Sequence, residues 1–314
     1  MAVIAISNQK GGVGKTTTAV NLGVALSELG KRVLLVDLDP QANLTVHLGI
    51  REPDTLPRTI TDVLLAIVSP HAVQGPTVRD VILPMPHGVD LVPCNLQLAA
   101  AELTLFTSLS REMVLRDALR PVVDEYDFII VDCLPSLGLL VINALAAADG
   151  VLVPVQADYL SMQGVSQLLQ AVAVVRDRLN PRLKLLGLLF TMADFRTLHA
   201  REVVQATRAV FQDSVPIFDT VIRLSVAFKE SSKAGQSVLA YAPDGRGAAA
   251  FRDLAREVVR QQLCHGDARR GLRLRDVIEA QEQWASRARP LPQETPSKSS
   301  DVPSPCFAEV GTST

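Results

Sequence analysis

Cysteine is scarce and scattered. The four residues, Cys94, Cys133, Cys264 and Cys306, form no C-x-x-C pair, which argues against a zinc site and fits a reducing compartment. Excess charge is missing as well. The formal net charge is −2, so the molecule is no polycation, and any contact with nucleic acid has to come from a local basic patch. Long apolar runs are nearly absent. Leu137 to Val155 is the one stretch that raises a membrane span, and Asn143, Asp149 and Gly150 interrupt it. A buried helix followed by a buried strand accounts for it better. The chain enters a strand-like run almost at once, so no signal peptide is expected. No internal repeat is visible.

What is present is an alternation. Hydrophobic residues make up 48% of 314, enough for one large α/β domain or two small ones. "VIAIS" at 3–7, "RVLLVD" at 32–37, "FIIVD" at 128–132, "GVLVPV" at 150–155 and "LKLLGLLF" at 183–190 read as buried strands. Helical patterns lie near 60–67, 95–104, 110–124, 138–147, 161–179, 198–211 and 246–263, and Ala19, Leu22, Leu26 and Leu29 share another. Continuous apolar strands separated by helices predict an α/β fold: a doubly wound, mostly parallel sheet with helices on both faces. "DVILPM" and "GVDLVPC" read as a local strand pair. Beyond this region the composition shifts. We expect one folded domain over 1–264, a basic extension over 265–288 with a short helical pattern at 272–287, and a disordered Pro/Ser-rich tail over 289–314, which has too little apolar surface to offset its ordering entropy.

The stretch "SNQKGGVGKTTTAVNL", Ser7 to Leu22, sits between the first strand and a helix. It is nearly the phosphate-binding pattern G-x-x-x-x-G-K-[ST]. Gly14, Lys15 and Thr16 supply its end, but Gln9 stands where the first glycine belongs, and a second lysine, Lys10, precedes Gly11, Gly12 and Val13. The glycines let backbone N–H groups approach phosphate, and the helix N-terminus adds partial positive charge. Lys15 is expected on the β- and γ-phosphates, the Thr16 hydroxyl on Mg²⁺ and Thr17 near the α-phosphate.

With that second lysine the loop resembles the deviant Walker A loop of the ParA/MinD family of ATPases. The resemblance implies a P-loop NTPase fold, ATP and Mg²⁺ as cofactors, and a homodimer that sandwiches two nucleotides. In it the early lysine, Lys10, reaches the phosphates bound by the other subunit. A cation supplied in trans is worth on the order of 10³–10⁵ in rate in related phosphoryl-transfer systems. The loop residues Lys10, Gly11, Gly12, Val13, Gly14, Lys15, Thr16 and Thr17 would then all line the nucleotide.

Two acidic strand ends join the resemblance. "LLVDLDPQANLT" carries Asp37 and Asp39, and "FIIVDCLPSLG" carries Asp132. In a doubly wound sheet, ligands sit at the carboxyl ends of the strands, so all three carboxylates are expected to face the phosphates. By resemblance Asp39 positions the attacking water, Asp37 lies near the metal and Asp132 is the Walker B aspartate that holds Mg²⁺ through water. Leu134 stands where the family has proline. Nitrogenase iron protein shares the loop and ligates a cluster through cysteines in glycine-rich loops, a setting that Cys94 and Cys133 lack.

The resemblance runs over roughly residues 1–263 and is closest to the ParA branch, through "VPVQADYLSMQGVSQLL", "NPRLKLLGLLFTMADFRTLHAREV" and "TVIRLSVAFKESSKAGQSVLAY". In that branch arginines on one surface of the dimer bind DNA without sequence preference. Arg196 matches such a position, and Arg223, Lys229 and Lys233 are neighbouring candidates, although Leu224 and Ala227 displace the usual arginines. Nothing ahead of the loop forms a helix-turn-helix domain, so the chain resembles the short, Soj-like partition ATPases. The function implied is a cytoplasmic, nucleoid-associated DNA-partitioning ATPase of slow turnover that dimerises on ATP, binds double-stranded DNA non-specifically and is released when a ParB-like partner stimulates hydrolysis. A MinD-like membrane switch is the first alternative. It needs a basic amphipathic helix, and "RRGLRLRDVIEAQEQWASRAR" mixes Asp276, Glu279 and Glu282 into its polar face, so no membrane contact is expected. Nucleoid-based positioning of a protein cargo uses the same chemistry. A metabolic kinase or synthetase is the remaining alternative, and no dedicated small-substrate pocket is legible for it.

Overall fold

Strands form where the chain is continuously apolar, because a parallel strand covered on both faces has no polar side to show. In a computed structural model that describes residues 1–69, 75–157, 159–211 and 215–263, these are β1 (Ala2–Ile6), β2 (Val33–Leu38), β5 (Phe128–Cys133), β6 (Gly150–Gln156) and β7 (Lys184–Ala193). Three shorter or more polar strands, β3 (Leu83–Met85), β4 (Val89–Val92) and β8 (Ile217–Arg223), complete one sheet of order β3-β4-β2-β5-β1-β6-β7-β8. Every pairing is parallel except β3 with β4, the expected local hairpin.

The helices cover both faces. They are α1 (Lys15–Glu28), α2 (Asn43–His47), α3 (Ile60–Val68), α4 (Gln97–Phe106), α5 (Val114–Leu119), α6 (Leu139–Ala147), α7 (Tyr159–Arg178), α8 (Leu198–Phe211), α9 (Ala227–Ala234), α10 (Val238–Tyr241) and α11 (Arg246–Leu263). Strand alternation divides the core. Val3, Ala5, Leu34 and Val36 face a layer built on α3 to α6, while Ile4, Ile6, Val33 and Leu35 face one built on α1, α10 and α11. Leu137 to Val155 is the end of a loop, then α6, then β6, and both elements are buried. Among the described residues no helix is long and apolar enough to cross a membrane.

Departures from the sequence-based expectation have local causes. The pattern over 110–124 is helical only at α5 and a short 3₁₀ turn, Val123–Glu125, because Pro121 lacks the N–H that would continue the helix. β8 went unseen because it is an edge strand, half exposed, with Asp219 and Thr220 in its middle. The segments 265–288 and 289–314 lie outside the described residues.

α11 closes the second layer. Phe251 is fully buried, and its ring meets Phe228 edge-on, centroids 5.9 Å apart. Phe251→Ala is expected to cost roughly 3–5 kcal/mol of stability, read by equilibrium urea unfolding. A loss below about 1 kcal/mol would mean that this face is not packed as described.

Candidate functional site

β1 lies between β5 and β6, where the sheet's crossovers turn to opposite sides. A crevice opens at that point beyond the strands' carboxyl ends, and the loop Ser7–Gly14 occupies it. Gly12 (φ 73°) and Gly14 (φ 85°) adopt left-handed backbone, which glycine takes without steric cost. A Cβ placed on Gly11 or Gly12 would meet nothing within 4 Å, so that side of the loop is open. The other side is fastened to the neighbouring strands. The Thr191 hydroxyl lies 2.8 Å from the Val13 carbonyl and 3.2 Å from that of Val155. The Gln156 side-chain amide donates to the Gly12 carbonyl at 3.2 Å. The Asn8 side chain donates to the Pro154 carbonyl at 2.7 Å and accepts from the Lys10 N–H at 3.0 Å. With these carbonyls held toward β6 and β7, the loop's N–H groups and the N-terminus of α1 are left for an anion.

The charged groups meet at the same place. Strand register sets Asp132 beside both Ile6 and Asp37. The Thr16 hydroxyl donates to Asp132 Oδ2 at 2.7 Å, while Asp132 Oδ1, fully buried, has no hydrogen-bond partner among the described residues. Burial, and then the charge of Asp37, push the Asp132 carboxyl well above the usual carboxylate range. Asp37 is also buried, and desolvation raises it to about 6. Both its oxygens are engaged: Oδ1 accepts from the Asp39 N–H, and Oδ2 accepts from the Thr45 N–H and hydroxyl at 2.9 and 2.7 Å. Lys15 is buried and donates to the Lys10 carbonyl at 3.1 Å. Burial lowers its pKa, against the opposing pull of Asp132, Cys133 and Asp39. Asp39 is thus part of the same charge cluster, and its Oδ1 accepts from the Gln41 N–H.

The structure therefore brings Lys15, Thr16, Asp37, Asp39 and Asp132 together below the open loop. Leu134 packs on the core, and its carbonyl accepts from the Ser136 N–H, which closes the turn after β5. Cys94 and Cys133 are both buried, and burial raises both thiols. The residues missed in sequence are Asn8, Gln156 and Thr191. The last two end or nearly end the apolar strands β6 and β7, on one side of β1, and polar residues at such ends were the available signal.

Two of the four basic candidates, Arg196 and Arg223, lie at the β7 and β8 ends. Ala193 pairs with Arg223 across the strands, and the Arg223 guanidinium sits over the Phe195 ring, 5.1 Å from its centroid. Arg196, next along, is 85% exposed and forks onto Asp194 at 2.8 and 2.7 Å. That contact pulls the Asp194 carboxyl down to about 2. Lys229 and Lys233 are one turn apart on α9, both exposed.

A family model described as AAA domain matches residues 1–185. The sporulation initiation inhibitor protein Soj of Bacillus subtilis is 46% identical over 257 residues, 82% of this chain and 97% of its own length. The chain belongs to the ParA/Soj family of partitioning ATPases. An uncharacterised protein of Mycobacterium tuberculosis H37Rv is 47% identical over 258 residues, 82% of this chain and 78% of that one. Among solved structures, one titled cobyrinic acid a,c-diamide synthase from Mycobacterium smegmatis, with bound ADP and magnesium, aligns with a TM-score of 0.72 at 38% identity, over 84% of this chain and 96% of its own. Family membership accounts for the deviant loop and makes the protein an ATP-hydrolysing enzyme. Homodimerisation and interaction with DNA and a partner protein come with the family in general terms.

Gly14 is both the left-handed start of α1 and a close neighbour of Thr191 and Met192. Gly14→Ala is expected to lose about 1–2 kcal/mol from left-handed strain alone, read as a lowered unfolding midpoint. Unchanged stability would mean that the loop does not hold this conformation.

Proposed function

We propose that the chain is an ATP-dependent DNA-partitioning ATPase working as a nucleotide-sandwich dimer. The observation that carries this is the open, N–H-lined loop set directly against a Thr16–Asp132 pair with one buried carboxylate oxygen that has no partner among the described residues. The donor set fits Mg²⁺ with ATP. Among the described residues no cluster of three or more carboxylate, histidine or cysteine side chains could cage a metal alone. Mg²⁺ commonly takes one or two protein oxygens and completes its shell with water and phosphates. Thr16 and Asp132 supply hard oxygens here, while Asp37, with both oxygens engaged, holds the loop that carries Asp39. When bound, Mg²⁺ supplies charge neutralisation for phosphoryl transfer.

The chain's own residues do the rest. Gly11, Gly12, Val13, Gly14 and Thr17 present the cradle, and Lys15, already desolvated, pairs with phosphate of its own nucleotide. Asp39 orients the attacking water. Lys10 at the rim serves the phosphates of the partner subunit. Residues 1–264 form the ATPase domain, with 265–288 and 289–314 as extension and tail. The dimer places two copies of the Arg196, Arg223, Lys229 and Lys233 surface against double-stranded DNA, which makes it nucleoid-associated, and a ParB-like partner stimulates hydrolysis and release. Arg223 is held open on the Phe195 ring, whereas Arg196 must exchange Asp194 for a phosphate.

Two experiments test this. Lys10→Ala should retain ATP binding but lose ATP-dependent dimerisation, measured by size-exclusion chromatography with ATP, together with hydrolysis. A variant that still dimerises and turns over normally would remove Lys10 from the mechanism. For DNA, log affinity should fall linearly with log salt, with a slope near −0.9 per phosphate neutralised, and with no sequence preference, because phosphate contacts carry no direct sequence information. Charge reversal at Arg196 and Arg223 (both to Glu) should weaken DNA binding by about tenfold or more and flatten that slope, while the ATP-dependent dimer survives. If truncation after residue 264 abolishes DNA binding and the double variant keeps it, the DNA surface belongs to the arginine-rich extension instead.

A further inference from the structure

α2 is a helix of five residues, too short to be stable by itself. It stands because both ends are tied. At its start, Thr45 donates twice to Asp37 Oδ2, and the Ala42 N–H donates to the Asp39 carbonyl at 2.8 Å. Ala42, between the carboxylate loop and the helix, has φ 53° and ψ 32°. For alanine that conformation is strained and persists only when its surroundings impose it.

The far end of α2 is tied to the turn that closes α9. His47 is buried, and its Nε2 donates to the Gln236 carbonyl at 3.2 Å. Arg51 donates to the Lys233 carbonyl at 3.3 Å. Gly49 (φ 102°) and Gly235 (φ 72°) meet backbone to backbone, so a Cβ on Gly235 would lie 3.0 Å from Gly49 Cα. A side chain at Gly235 would be both strained and obstructed. These contacts join the end of α9 to α2, and α2 and its first turn in turn engage the Asp37 carboxylate and the Asp39 carbonyl.

We propose that His47, Gly49 and Gly235 are positioning residues for ATP hydrolysis: the α2–α9 junction sets the Asp39 loop where Asp39 orients the water. The inference rests on the role given to Asp39 above.

The test is steady-state hydrolysis and ATP-analogue affinity for His47→Ala, His47→Asn and His47→Gln, without DNA, with Asp39→Ala alongside. A glutamine amide reaches about as far as imidazole Nε2 and can donate to the same carbonyl, whereas asparagine falls short. Misplacing a reacting group by about 1 Å can cost up to about 100-fold. We therefore expect kcat to fall roughly tenfold or more in the Ala and Asn variants, ATP affinity to stay near wild type, and Gln to restore the rate. If the Ala variant fails to fold, the Gln and Asn pair still decides. Wild-type kcat in the Ala and Asn variants, a Gln variant as slow as Asn, or loss of ATP binding in step with rate would each overturn the junction's role. Normal hydrolysis by Asp39→Ala would overturn the role of Asp39 itself, and the inference with it.

Discussion

Three carboxylates and one ammonium group are held out of water at the ends of β1, β2 and β5. That enclosure is costly, since charged groups lose hydration on burial. Its effect is visible in the raised carboxyls of Asp37 and Asp132 and the lowered amine of Lys15. A divalent cation and phosphates offset that cost. With them, each charge acquires a partner and the local pKa logic inverts. The site is therefore built around charges that arrive with the ligand, and the folding energy of the sheet holds it in place until they do.

The sheet can do this because it is parallel and covered on both faces. Its register, not a local turn, sets Asp37 next to Asp132 and both beside the end of β1. Its neighbouring strands then hold the phosphate loop from the side: Thr191 from β7 and Gln156 from β6 engage loop carbonyls. β7 runs on from Thr191 into Asp194, Phe195 and Arg196, and β8 ends at Arg223. Phosphate loop and basic surface thus share the end of β7, while α2 provides a second connection from Asp39 to α9.

Much of this was legible in sequence, for physical reasons. A phosphate loop is a local motif whose glycines, lysine and threonine act within eight residues of one another, so it reads directly. Asp132 and Asp37 read as strand-end carboxylates because the apolar runs before them are unmistakable. β8 did not, because an edge strand has one exposed side and no continuous apolar run. α2 and α10 did not, because helices of five and four residues are too short to show a period. The engagement of both Asp37 oxygens, the fastening of the loop by Gln156 and Thr191, and the Gly49–Gly235 contact join residues far apart in the chain. They follow from sheet order and register, which no single segment encodes.

The central claim is that the Thr16 and Asp132 oxygens hold the metal that arrives with the nucleotide. Calorimetric titration of ATP into wild type and Thr16→Ala, each with and without Mg²⁺, tests it most directly. The account predicts that Mg²⁺ strengthens binding to wild type by about tenfold or more, and that Thr16→Ala loses most of this gain while keeping the Mg²⁺-free affinity. An equal Mg²⁺-dependent gain in both proteins would contradict it.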